Sequence, residues 1–113
     1  MALSWRESYV GIFKAEVVSK AAPGKKKSKV TYYFIDNEGY FGRDAIYGHL
    51  DDGERFAYFS KAVLEMCVRL NINPQIIHCN DWQTGFVPLF LKTDYSEKLG
   101  DIKTVYTIHN IEY

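Results

Sequence analysis

The sequence predicts an α/β domain in which a short parallel sheet follows an N-terminal β-hairpin. Three observations carry that expectation. Residues 9–19 and 30–36 are rich in β-branched and aromatic side chains and flank a Pro-Gly turn. Phe56, Phe59, Val63, Met66, Cys67 and Leu70 then fall three and four apart, the apolar stripe of one long helix. Finally, residues 75–79 and 103–108 read as strands separated by a short helix, a βαβ pattern whose two strands run parallel.

Each element has a local reason. The segment joining the first two strands carries Pro23-Gly24 and Lys25, Lys26, Lys27 and Lys29, a solvated hairpin loop. Residues 37–49 are irregular, with Gly39, Gly42 and Gly48 alternating with Tyr40, Phe41 and Tyr47. Such a stretch is either an aromatic-anchored loop packed on its own core or a binding surface. Asp51-Asp52-Gly53-Glu54 has the form of a capping box, with Asp51 accepting from first-turn amides and Glu54 reaching back. Asn73-Pro74 ends the helix. A second helix starts at Asp81 or Trp82, kept short or bent by Gly85 and Pro88.

Composition narrows the class of function. The chain has 113 residues, enough for a single core, and 47% of them are apolar. Fourteen basic residues balance fourteen acidic ones, so no global field attracts nucleic acid or an anionic membrane. No apolar run has the length of a bilayer span, and the first residues lack a secretory stretch. A cytoplasmic protein is expected. Cys67 and Cys79 show no framework spacing, so no disulfide is expected.

Parallel α/β sheets bind ligands beyond the carboxyl ends of their strands, where loops vary and backbone amides face the crevice. That rule selects Asp81 and Trp82 after one strand, and His109 and Asn110 after the next. If the strands are neighbours, Asp81 and His109 reach one ligand. Plainer readings stand beside this one. Asp81 also suits an N-cap, and His109-Asn110 suits a strand-ending turn. His78 alternates with Cys79 inside the strand and reads as a hydrogen-bonded core histidine. A metal cluster of His78, Cys79, Asp81 and His109 would make a hydrolase, but no paired ligand spacing appears, so neither metal nor cofactor is expected. Phosphate-loop and nucleophile-elbow motifs are absent from the sequence.

Six ordered blocks nonetheless have a familiar look: Tyr33-Phe34-Ile35-Asp36-Asn37, Tyr40-Phe41-Gly42-Arg43, Tyr47-Gly48, Asp52-Gly53-Glu54-Arg55-Phe56-Ala57, Ile77-His78-Cys79-Asn80-Asp81-Trp82-Gln83-Thr84 and Tyr106-Thr107-Ile108-His109-Asn110. Their order and spacing, from Trp5 to Tyr113, resemble the bacterial glycogen synthases and plant starch synthases. The resemblance implies a fragment, residues 1–113, of the N-terminal domain of a GT-B glycosyltransferase, with a partial Rossmann-like sheet. It implies transfer of glucose from ADP-glucose to the non-reducing end of an α-1,4-glucan, with retention of configuration.

Carried over residue by residue, the resemblance makes His109 the histidine beside the transferred glucose, orienting the sugar and stabilising oxocarbenium charge. It makes Asp81 the aspartate needed for activity, positioning sugar or acceptor. Tyr40 and Phe41 become an aromatic pair able to stack on glucose, and Trp82 and Asn110 fall among the substrate-binding positions. The family's Lys-Thr-Gly-Gly-Leu loop and its second nucleotide-binding domain are not in this sequence, so the chain alone is expected to be inactive. The alternative is a noncatalytic glucan-binding or interaction module built on the aromatic loop. An exposed sheet edge would favour self-association.

Overall fold

The computed structural model describes residues 1–4 and 6–111; Trp5 and Tyr113, where the resemblance begins and ends, lie outside the described residues. The chain runs β1 (Ala2–Leu3), β2 (Arg6–Glu7), β3 (Gly11–Val18), β4 (Lys29–Asp36), α1 (Glu38–Phe41), α2 (Asp52–Arg69), β5 (Ile76–Asn80), a 3-10 turn (Trp82–Thr84), α3 (Phe86–Lys92), α4 (Ser96–Leu99) and β6 (Lys103–Thr107). The strands pair as β1 with β2, β3 with β4, and β5 with β6.

The predicted hairpin is β3–β4, antiparallel and in register from Gly11 opposite Asp36 to Val18 opposite Lys29. Its loop turns at Pro23-Gly24. Gly24 has φ 79°, and the Lys25 amide donates to the Ala22 carbonyl at 3.0 Å. That is a type II turn, with proline presetting the first central residue and glycine accepting the left-handed second. Cross-strand register puts Phe13 opposite Phe34, Ala15 opposite Tyr32 and Val17 opposite Val30 on one face. This face is open to solvent, whereas Ile12, Tyr33 and Ile35 on the other pack against the core.

The long helix forms as expected, but its buried faces differ from the predicted stripe. Only Met66 and Cys67 of that stripe are buried; Phe56, Phe59 and Val63 are half-buried and Leu70 is exposed. The helix is gripped on two sides. Tyr58, Ala62 and Met66 lie on one, Ser60, Leu64 and Cys67 on the other, and the stripe runs between them. Tyr58 and Ala62 join Tyr40 in one core cluster, while Leu64 and Cys67 join Cys79, Val87, Leu91, Tyr95, Leu99 and Ile102 in the larger one.

The capping box does not form. Asp51 makes no side-chain cap bond; its carboxylate takes two hydrogen bonds from Arg43 instead, each at 2.9 Å. Glu54 is drawn outward to Arg6 and to the Tyr40 hydroxyl. The cap that does form is Asn37, whose Oδ1 accepts from the Tyr40 amide at 3.0 Å and starts α1 inside the stretch read as irregular.

β5 and β6 are parallel and hydrogen-bonded neighbours, pairing Ile76 with Lys103 through Asn80 with Thr107. The second helix is divided: the 3-10 turn holds Trp82, and α3 begins only at Phe86. Pro88 sits in the first turn of α3, where its missing N–H costs no intrahelical bond. No helix among the described residues is long and apolar enough to cross a membrane.

Candidate functional site

The β5–β6 pairing ends with Asn80 opposite Thr107, so the residues just beyond emerge side by side. The Asp81 amide extends the ladder by donating to the Thr107 carbonyl at 2.9 Å. Asp81 Oδ1 then accepts from the backbone N–H of His109 at 2.7 Å. The two residues selected from the sequence are therefore in direct contact at the C-terminal rim. Asp81 holds the N-cap position of the 3-10 turn, but its side chain makes no cap bond and is spent on His109.

Asp81 has φ 61° and ψ 178°, at the edge of a region open almost only to glycine. Its surroundings hold it there. The Asp81 carbonyl accepts from the Tyr106 hydroxyl at 2.6 Å, and from Thr84 through both Oγ1 at 3.0 Å and the backbone amide at 3.2 Å. Thr84 Oγ1 also lies 3.0 Å from the Asn80 carbonyl. Strain of this kind persists only where neighbours over-determine the backbone, and it gathers at ligand-facing turns. The His109 ring is held from below, with Nε2 3.0 Å from Asn80 Oδ1. His109 and Asn110 are exposed and Asp81 is half-buried, so the rim faces solvent.

Trp82 sits at the surface with 36% of its area exposed, edge-on to Phe56 at 5.0 Å and to Tyr47 at 6.2 Å between ring centroids. Through this contact the aromatic loop of residues 42–50 reaches the rim. Arg55, 2% exposed, ties the loop down. Its Nε donates to the Tyr40 carbonyl at 2.6 Å, and its Nη1 donates to Asp52 Oδ1 at 2.8 Å and to the Ile46 carbonyl at 3.2 Å. The guanidinium also lies over the rings of Phe56 and Phe41. Burial works against ionisation of the Asp52 carboxyl, but the Gly48 amide and Arg55 outweigh it and hold Asp52 below the ordinary range. Sequence reading passed over Arg55; its i,i+3 spacing from Asp52 was the available signal.

Tyr40 and Phe41 require a correction. Tyr40 is 8% exposed, its ring 4.7 Å from that of Tyr58, and Phe41 is half-buried against Tyr58 and Phe59. In this arrangement they are core side chains, not flat platforms for a sugar. They fill the apolar interior of the hairpin-to-α2 junction together with Tyr58, Ala62 and Ile35. Burial, with Glu54 beside it, raises the Tyr40 phenol above its usual range, as suits a structural hydroxyl. His78 is corrected in the opposite sense: it is hydrogen-bonded, with Nε2 2.7 Å from Thr107 Oγ1, but exposed, whereas its neighbour Cys79 is buried. The helices cover only the Cys79 face of the β5–β6 pair.

Among the described residues, no three His, Cys, Asp or Glu side chains are grouped to hold a metal. A cavity of about 780 Å³ lies between the N-terminal strand, α2 and α4, away from the rim. Within its lining Lys61 pairs with Asp94 and Arg69 with Glu65.

Comparisons with known proteins identify the family. The model of the starch synthase catalytic domain matches residues 1–113. The chain belongs to the starch synthase catalytic domain family. Among its relatives, a glycogen synthase of Clostridium botulinum (strain Alaska E43 / Type E3) is 48% identical over 114 residues, which cover 98% of this chain and 22% of that protein. One from Exiguobacterium sibiricum is 48% identical over 116 residues, with the same coverage. One from Geobacillus stearothermophilus is 45% identical over 113 residues, 98% of this chain and 21% of that protein. The chain thus spans about a fifth of the length of the curated relatives it matches. No solved structure gives a significant match.

Proposed function

We propose that this chain forms one wall of the glucosyl-transfer site of a glycogen synthase, with Asp81 and His109 at its rim. The observation that supports this most is the 2.7 Å contact between Asp81 Oδ1 and the His109 amide, at the ends of adjacent parallel strands in a member of the starch synthase catalytic domain family. In this reading the donor is ADP-glucose and the acceptor is the non-reducing end of an α-1,4-glucan, transferred with retention. His109 orients the sugar and stabilises positive charge developing at its anomeric carbon. Asp81 acts by fixing the backbone that carries His109, and Trp82 and Asn110 flank the sugar.

The rim is solvated, and transfer of this kind needs converging charges and a closed, dry cleft. The 113-residue chain alone therefore does not turn over. The glucan-binding alternative draws on the aromatic loop between Tyr40 and Tyr47; the packing of Tyr40 and Phe41 weakens it, leaving Tyr47 as its exposed aromatic ring. A cytoplasmic setting goes with this reading, consistent with two buried free thiols. The hairpin's outer edges and its Phe13–Phe34 face also make self-association of the isolated chain part of the proposal.

Initial-rate kinetics on a full-length glycogen synthase carrying this segment test the reading. His109→Ala lowers kcat by on the order of a hundredfold or more while thermal stability stays near that of the parent. A parent rate in that variant would return His109 to the role of a strand-ending turn.

A further inference from the structure

We propose that Asn80 is a positioning residue for His109, setting which imidazole nitrogen meets the ligand; the inference rests on the reading of His109 as sugar-facing. Asn80 is the last residue of β5 and pairs with Thr107 of β6, two residues before His109. That register brings its side chain beneath the ring, with Oδ1 3.0 Å from His109 Nε2. The next residue, Asp81, holds the same histidine by its backbone amide at 2.7 Å. Two consecutive residues at one strand end thus grip His109 at two points, the main chain by a carboxylate and the ring by an amide.

The chemistry of the grip is directional. An amide oxygen only accepts, so Nε2 is the nitrogen that carries hydrogen, and Nδ1 is left with its lone pair for a ligand hydroxyl. A neutral partner orients the ring without adding a second negative charge beside a centre where positive charge develops. Neither the strained turn at Asp81 nor the β5–β6 ladder requires an amide at this position. The Asn80 side chain does not take part in the ladder, and the nearby Thr84 hydroxyl binds only its backbone carbonyl.

The test uses a full-length glycogen synthase carrying this segment, with Asn80→Ala, Asn80→Asp, His109→Ala and the Asn80→Ala/His109→Ala double variant. Asn80→Ala lowers kcat on the order of ten- to a hundredfold with KM nearly unchanged, the signature of a misplaced catalytic group. Asn80→Asp keeps an acceptor oxygen and restores most of the rate. The double variant is no slower than His109→Ala alone, because Asn80 acts only through the ring. A parent kcat in Asn80→Ala, or losses that multiply in the double variant, overturns the inference. Nitrogen-15 spectra of the His109 ring supply a readout independent of activity: hydrogen on Nε2 supports the contact, and hydrogen on Nδ1 overturns it. Were the parent protein unable to transfer glucose, the proposed function and the catalytic half of this inference would both fall, while the ring spectrum would still decide the contact.

Discussion

Replacing Asp81 separates its backbone from its carboxylate. At φ 61° and ψ 178° a residue with a Cβ carries strain of about 1–3 kcal/mol, which glycine relieves. The carboxylate contributes the bond to the His109 amide; a hydrogen bond to a charged group is worth about 1.5–3 kcal/mol, with the lower end apt for a solvated rim. Asp81→Ala loses the bond and keeps the strain, a destabilisation of about 1.5 kcal/mol. Asp81→Gly loses the same bond but relaxes the turn, less about 0.5–1 kcal/mol for glycine's greater unfolded freedom. Glycine is therefore expected to be at least as stable as alanine, by up to about 2.5 kcal/mol, the reverse of their order at ordinary sites. Urea denaturation of the two variants measures the difference directly. Alanine more stable than glycine would refute the strain. Activity supplies the second half: in a full-length enzyme, Asp81→Gly remains slow despite its stability, because nothing then holds the backbone of His109. A glycine variant at parent speed would make the carboxylate dispensable.

Further expectations follow from the packing and charges. Leu64 is fully buried in the larger core cluster, so Leu64→Ala costs about 2–5 kcal/mol, read from its denaturation midpoint; a loss below about 1 kcal/mol would contradict that core. The two bonds from Arg43 hold the Asp51 carboxyl down to about 2, against 3.8 when unperturbed. A depressed carboxyl stabilises the fold above its unfolded value and ceases to do so as pH falls through the folded one. The Arg43 tether is thus complete above pH 3.8 and lost on approaching pH 2, and Arg43→Ala returns the Asp51 titration toward 3.8 by carbon NMR. Light scattering of the isolated chain should show a mass above the monomer that drops when Phe13 and Phe34 are both changed to lysine; a monomeric parent chain would refute that association.

Much of the rim was legible because its signals are local. Strand propensity marked β5 and β6, the helical segment between them made the pair parallel, and strand-end logic then chose Asp81 and His109 without reference to any family. Other features depend on contacts made across the fold. Whether Tyr40 stacks on a ligand or fills a core turns on Tyr58, eighteen residues away, which no periodicity reveals. The helical stripe misled because α2 is buried on two sides, and counting apolar residues finds a single face. His78 was misjudged through the same blindness: alternation separates it from Cys79 but does not say which face the helices cover. A buried Arg55 runs against the usual distribution of charge, and only its three backbone and carboxylate partners make it reasonable.

The edge-on packing of Trp82 against Tyr47 and Phe56 gives this part of the surface an optical reporter. Its indole is about one-third exposed and touches both the aromatic loop and the turn that follows Asp81, so its emission colour depends on whether those two segments remain joined. The sequence holds just one other tryptophan, Trp5, and a Trp5→Phe background would leave Trp82 as the single tryptophan, excited selectively over the tyrosines. A ligand arriving at the rim, or the loop lifting from it, could then be followed by wavelength shift and quenching, with no label added.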